Sequence, residues 1–453
     1  MAVTTSAAQL APEFSGELLE PTDSRYDDAR RVHNGLVDKK PALIARCRGI
    51  ADVADAVRIA RTLNLEPAIR GGGHNVGGRA TTEGGIMIDL STMKGIHVDA
   101  ANRRARAQGG VLWKEFNRDT QVHGLATTGG VVGSTGIAGL TLGGGLGWLM
   151  PKYGLALDNL KSAELVMADG SVRRAAADEN PDLFWAIRGG GGNFGIAASL
   201  EYALHPVGPM ITGGLVAHPF ARAVDTLKFF RDTCASLPDE MMLAAGLLFA
   251  PDGSGAKLNG ILAAHCGALA DGEKAVKPIK AFGPPAMDMM GPIPYCAQNG
   301  LLDAAFPKGA LNYWKSQFLT DLTDDSIKML VEGFAACQSP LSQIVIEHFH
   351  GAASRVGVSD TACAMRLTGF NVVLISQWSD PRETEKGIKW CRDTYSALSP
   401  FFGGTRYLGY LDADEPDDPA AIAYGPNYAR LRELKRKYDP DNFFHVNVNI
   451  RPR

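Results

Sequence analysis

Apolar residues recur every three or four positions in Ile50-Ala51-Asp52-Val53-Ala54-Asp55-Ala56-Val57-Arg58-Ile59-Ala60. That spacing predicts a helix with one buried stripe, and Asp52 near its start suits the positive end of a helix dipole. Shorter runs at 66–70, 85–90, 96–99 and 103–108 predict strands, the first of them leading straight into a run of glycines. Beyond about His205 the texture changes. Residues 258–263 and 344–350 read as strands, and 223–230 and 326–336 as helices. In 344–350 the two-residue period puts His348 and His350 on one face with Ile344 and Ile346, and Glu347 on the other, solvated or paired within the sheet. Residues 406–412 are expected as a strand with Leu408 and Tyr410 on one face and Tyr407 and Gly409 on the other. The segment 427–438 fits a surface helix built on Leu431 and Leu434 and stopped by Asp439-Pro440. Last, Asn447 and Asn449 alternate with Val446 and Val448, so both amides are expected to point the same way.

These elements make an α+β protein, and 453 residues exceed what one core usually supports, so two domains are expected. Lys plus Arg (46) nearly balances Asp plus Glu (49), and no basic stripe interleaves with aromatics, which disfavours nucleic acid and anionic membrane as partners. A small-molecule substrate is expected instead. The first residues include acidic ones and lack a signal-length apolar run, and no segment approaches a membrane span, so a cytoplasmic protein is expected. The seven cysteines are scattered and never spaced as C-x-x-C, which argues against zinc and against a disulfide framework.

Glycine is concentrated between Arg70 and Gly195, in the runs 71–73, 143–145 and 189–192. Bare main chain lets a ligand approach closely and exposes N–H groups that can nest around a phosphate or lie against a flat ring system. Arg70 either adds charge to such a nest or braces its loop. No G-x-G-x-x-G opening a helix with a downstream acidic ribose ligand is present, so this is not a dinucleotide Rossmann fingerprint.

Five blocks then carry a resemblance: Arg70-Gly71-Gly72-Gly73-His74-Asn75-Val76-Gly77-Gly78; the run 129–147; Lys152-Tyr153-Gly154-Leu155-Ala156-Leu157-Asp158-Asn159; the run 182–195; and the closing segment 438–450. In this order they resemble the vanillyl-alcohol-oxidase superfamily with its PCMH-type FAD-binding domain, and within it bacterial berberine-bridge-enzyme-like oxidases. The resemblance implies an FAD-binding domain from residues 1–205 completed by 406–453, with an inserted α+β substrate domain, 206–405, whose antiparallel sheet covers the flavin. It implies FAD contacts from Arg70, Gly71, Gly72, Gly73, His74, Asn75, Gly78, Gly133, Ser134, Gly136, Gly139, Gly143, Gly144, Tyr153, Gly154, Asn159, Gly195, Asn447 and Asn449. It further implies a covalent bond from His74 to the flavin 8α-methyl carbon, the alternative being a loop histidine that hydrogen-bonds phosphate. Where many members attach the flavin a second time through cysteine, this chain has Val132, so no second link is expected. Thr135, near the place where the family controls oxygen access, is compact and leans towards an oxidase.

Flavin-dependent oxidation moves a hydride from carbon and needs a base for the adjoining proton. Residues 407–410 resemble the family's Y-x-N-Y motif, with Gly409 in place of its asparagine. Tyr410 is the leading base and Tyr407 its companion; a phenol so used needs a lowered pKa or a positive neighbour. His348 and His350 either serve the substrate or are satisfied structurally, and with no clear third ligand they do not suggest a metal. The expected reaction is oxidation of an alcohol, amine or sugar-like molecule, with O2 reduced to H2O2. Its rivals are a dehydrogenase of the same fold and a flavin-carrying binding protein without turnover.

Overall fold

The computed structural model describes residues 7–415 and 418–452. The apolar stripe of helix Ile50–Thr62 packs between two sheets, its Val53, Val57 and Ile59 sharing one core with Ile86, Ile88, Val166 and Ile196. One sheet has four strands in the order Glu17–Leu19, Leu43–Arg46, Ile86–Asp89, Pro67–Arg70, the last three parallel. The other has five antiparallel strands, Ile96–Asp99, Arg104–Gln108, Ile196–Ala203, Leu160–Val166 and Val172–Ala176. The first glycine run follows strand Pro67–Arg70, the second ends helix Ile137–Gly143, and the third follows helix Pro181–Ile187.

The second half is one large antiparallel sheet. Its central strands Met241–Phe249, Gln343–Phe349 and Gly369–Trp378 are flanked by Lys257–His265 and Met210–Pro219 on one side and Leu311–Leu319 on the other. Helices Ala223–Cys234 and Asp324–Ala335 supply Leu227, Phe230, Ile327, Leu330 and Phe334 to the core on one face, where Ile344, Ile346, Val372 and Leu374 also lie. Every residue of Gly369–Trp378 is buried, so the opposite face is covered as well. It is turned towards the glycine loops. Two α+β bodies therefore face each other across the ends of the glycine-rich turns.

Three local expectations change. Residues 406–412 form no strand: Leu408–Tyr410 is a single 3-10 turn, and its three-residue period brings Tyr407 and Tyr410 together, ring centroids 4.8 Å apart at 75°. Residues 446–449 are likewise irregular, so no alternation aligns the two asparagines. Helix Tyr428–Tyr438 buries Leu431 and Leu434, but it is no mere surface helix, because Lys435 and Asp439 are both fully buried.

Lys435 Nζ donates to Asp439 Oδ2 at 2.7 Å, to the Asn193 carbonyl at 2.7 Å and to the Phe444 carbonyl at 2.9 Å, while Asp439 accepts the Phe443 and Phe444 amides. One desolvated ammonium thus ties the C-terminal segment to the third glycine run. A second clasp joins the 406–415 segment to the large sheet, where the buried Lys315 Nζ meets the exposed Asp414 at 2.8 Å and the buried Glu415 at 3.0 Å, and Arg406 pairs with Glu415. Lys435→Met would leave the Asp439 carboxylate buried without its cation, so a loss of about 3–5 kcal/mol is expected, read as a lowered midpoint in urea unfolding.

Candidate active site

A cavity of about 290 Å³ lies between the glycine loops and the large sheet. Gly71, Gly72, Gly73, His74 and Asn75 wall it after strand Pro67–Arg70; Thr135, Gly136, Gly139 and Gly143 wall it from just before helix Ile137–Gly143 to its end; Gly191, Gly192, Gly195 and Asn447 close a third side. The first two walls touch through bare main chain, since a Cβ on Gly72 would collide with the Gly136 backbone nitrogen. Hydrogen bonds from Trp113 N to the Thr135 carbonyl and from Ile137 N to the Val111 carbonyl, both 2.9 Å, hold the second wall in place.

Several expected contact residues stand behind these walls. Arg70 braces the loop: its Nε lies 2.9 Å from Asp89 Oδ1, its guanidinium also pairs with Asp89 Oδ2, and it reaches the Ala29 and Arg31 carbonyls. Burial raises the Asp89 pKa, but the Arg70 guanidinium outweighs it and holds the carboxyl below its usual range. Gly78, at φ +67°, backs onto Val37, and the Gly133 amide donates to Asp303 Oδ1 at 2.6 Å. Gly144 makes room for the Tyr407 ring. Asn159 donates to the Tyr153 and Leu155 carbonyls, and Tyr153 stacks on His205, with Gly154 accepting from Thr128. Asn449 does not line the cavity, whereas Asn447 does.

His74 lies at the edge of the first wall. Its Nε2 is 2.8 Å from Ser134 Oγ, and the His33 ring stacks on it at 3.8 Å. Burial, reinforced by His33, lowers the His74 pKa to about 3, so its imidazole is neutral with one ring nitrogen held by Ser134.

The opposite wall comes from alternate residues of the large sheet, Val345 and Glu347, Val373 and Ile375, and Trp314, joined by Leu302, Phe306, Tyr407 and Tyr410. Glu347 is the surprise. The face read as solvated or sheet-paired is the one that meets the cavity, and Glu347 there is 6% exposed. Tyr410 donates to Glu347 Oε1 at 3.2 Å and Asn371 Nδ2 to Oε2 at 2.6 Å. Burial pushes the Glu347 pKa up to about 7, with the two hydrogen bonds pulling back. Burial and the neighbouring carboxylate push Tyr410 well above a phenol's usual value, the reverse of what a tyrosine base requires. Tyr407 accepts the Gly145 amide at 3.0 Å. His348 and His350 lie on the helix-covered face, stacked at 4.5 Å with Phe370 beside His348, and neither lines the cavity. The signal that would have found Glu347 is a lone carboxylate after the apolar run Ile344-Val345-Ile346, which is costly to bury unless it has work or partners.

Comparison with known proteins agrees with this arrangement. An FAD binding domain model matches residues 41–176, and a berberine and berberine-like model matches 406–451. The (R)-6-hydroxynicotine oxidase of Paenarthrobacter nicotinovorans is 32% identical over 98% of this chain and 99% of its own. The chain belongs to the berberine-bridge-enzyme-like family of FAD-linked oxidoreductases. Among solved structures, 6-hydroxy-D-nicotine oxidase from Arthrobacter nicotinovorans superposes with TM-score 0.89 at 29% identity, covering all of both chains. A glucooligosaccharide oxidase from Acremonium strictum, described with 6-S-cysteinyl, 8α-N1-histidyl FAD, does so with TM-score 0.87 at 24% identity over 99% of each chain.

This berberine-bridge-enzyme-like chain is thus an FAD enzyme of the PCMH-type two-domain fold, and its cradle fits the cofactor. Three glycine-lined walls leave space that side chains would fill, and Val132, with no cysteine, is among the described residues that line the cavity. Gly72→Ala would push the first two walls apart at a strain of about 1–3 kcal/mol. FAD content per purified chain, read from the visible absorption band, is expected to fall sharply while the far-ultraviolet circular dichroism stays native.

Proposed function

We propose that this enzyme oxidises a small organic molecule at a carbon bearing oxygen or nitrogen, with O2 as final acceptor. Residues 1–205 and 406–453 hold the cofactor, and residues 206–405 supply the substrate wall. FAD, when bound, supplies the two-electron acceptor for the hydride and returns the electrons to dioxygen, giving hydrogen peroxide. The observation that carries the reading is a buried carboxylate poised near neutral pH, Glu347, facing a glycine-lined cavity.

In this reading Glu347 takes the proton that the substrate loses, because a base works best when its pKa lies near the working pH. Tyr410 and Asn371 orient the carboxylate through hydrogen bonds, and Tyr410 is a positioning residue instead of the base. Ser134 engages Nε2 of His74, so Nδ1 would be the nitrogen that bonds the flavin 8α carbon when FAD is bound. Stacked His33 shields the ring from water, which keeps it neutral and nucleophilic. Thr135 lines the cavity with a compact side chain that leaves dioxygen room.

Glu347 acts as a base only when ionised, so kcat/KM is expected to rise with pH through about 7. Glu347→Gln should abolish that limb and slow anaerobic flavin reduction by about 10²–10⁴-fold. Tyr410→Phe removes a hydrogen bond that stabilises the carboxylate, so the limb should move to higher pH; its disappearance would instead make the phenol the base. Peroxide formed under air tests the oxidase assignment. Acid precipitation of wild type should leave fluorescent flavin on the denatured chain, and His74→Ala should release it. Flavin that stays bound in the variant would assign the link elsewhere.

A further inference from the structure

Two neighbours fix the His74 ring. The His33 ring covers its face at 3.8 Å and 22°, and the His33 main chain is itself pinned, its amide donating to the Gly73 carbonyl at 3.0 Å and its carbonyl accepting the Gly309 amide at 2.9 Å. On the ring edge, Nε2 lies 2.8 Å from Ser134 Oγ, and that hydroxyl is the one hydrogen-bond partner of the ring among the described residues. Ser134 is held as firmly. Before it, the Gly133 amide donates to Asp303 Oδ1 and the Gly133 carbonyl accepts the Lys114 amide; after it, the Thr135 amide donates to the Val132 carbonyl and the Thr135 carbonyl accepts the Trp113 amide. His74 lines the cavity and half-buried Ser134 does not, so the hydroxyl meets the ring from outside the cavity.

A histidine that bonds carbon through Nδ1 must present that nitrogen's lone pair, and so must carry its proton on Nε2. Once the bond is made, the same proton leaves the ring a cation, which is costly to bury where no carboxylate is bonded to it. A carbonyl facing Nε2 could only accept, and would hold the proton in place. A hydroxyl accepts from Nε2–H before the bond forms and donates to bare Nε2 afterwards. Resting on the covalent attachment proposed above, we infer that Ser134 is a positioning residue for that attachment and the exit for the Nε2 proton.

The atoms and electrons balance. A bond forms between Nδ1 of His74 and the 8α carbon, the Nε2 N–H bond and one C–H bond of that methyl group break, and two electrons enter the flavin. Dioxygen, the acceptor already proposed, removes the two electrons, and both protons end on hydrogen peroxide. Ser134 passes the Nε2 proton to water on its open side and keeps none.

The test uses the full chain produced under riboflavin limitation and then given FAD. Uptake is read from the visible absorption band, and attachment from the fluorescence that stays on the acid-denatured chain. Ser134→Thr and Ser134→Val put side chains of one shape at the position and differ in the hydroxyl alone. The threonine form is expected to attach FAD within a few-fold of the wild-type rate and the valine form about 10²-fold more slowly, with uptake retained in both. Wild-type attachment is expected to slow in D2O, a comparison that decides the matter even where a variant takes up no FAD. Equal attachment rates in the threonine and valine forms, or a wild-type rate indifferent to D2O, would overturn the role of Ser134 while leaving the covalent link in place. Wild-type protein that releases all its flavin on denaturation would instead remove the reading on which the inference rests.

Discussion

The site depends on two stretches of main chain lying closer together than any side chain permits. Gly72 and Gly136 come from different elements, one following a parallel strand and one preceding a short helix, and they meet atom to atom because neither carries a Cβ. The contact closes the cradle on one side and aims the loop that carries His74. Everything placed around the cavity inherits its position from that approach: Ser134 on the second wall reaches His74 on the first only because the walls touch. Such backbone proximity is demanding, since each amide and carbonyl brought out of water must find a partner, and the bonds made by Trp113 and Ile137 are how the second wall meets that demand.

Across the cavity, a single alternation decides which chemistry faces the cofactor side. In Gln343–Phe349 the even-numbered Ile344 and Ile346 face the helices, so the odd-numbered Val345 and Glu347 face the cavity. A carboxylate buried without a cation rises towards neutrality, and hydrogen bonds from Tyr410 and Asn371 set how far. The same alternation sends His348 and His350 into the helix-covered side, where burial keeps His348 uncharged near neutral pH.

Much of the fold was readable in advance because its cues are local. The helix at 50–62, the strands at 86–89, 96–99 and 104–108, and the helices beginning at 223 and 324 carry their periodicity in consecutive residues. The glycine runs marked the cradle for the same reason, and the family blocks named the cofactor. What escaped was tertiary. Which face of 343–349 meets the cavity depends on helices far along the chain, so Glu347 and not the histidines lines it. Period-two reasoning failed at 408–410, where no neighbouring strand pairs with the backbone and a 3-10 turn forms instead. Arg70 reads as either charging the nest or bracing its loop, and it braces, through Asp89 on an adjacent parallel strand that the sequence alone does not pair with it. The segment 427–438 read as a surface helix for a similar reason, since the carbonyls that Lys435 serves come from two other segments.

The clasp that fixes the tyrosine turn has a consequence for how the protein tolerates its surroundings. Lys315, Arg406 and Glu415 are each less than a tenth exposed, so mobile ions cannot enter between them. Concentrated electrolyte therefore loosens the many surface pairs, such as Lys389 with Asp393, and leaves Tyr407 and Tyr410 where they stand. The tyrosine turn on the sheet side of the cavity is in this sense insulated from ionic strength, and a brine that softens the exterior leaves the aromatic lining in register.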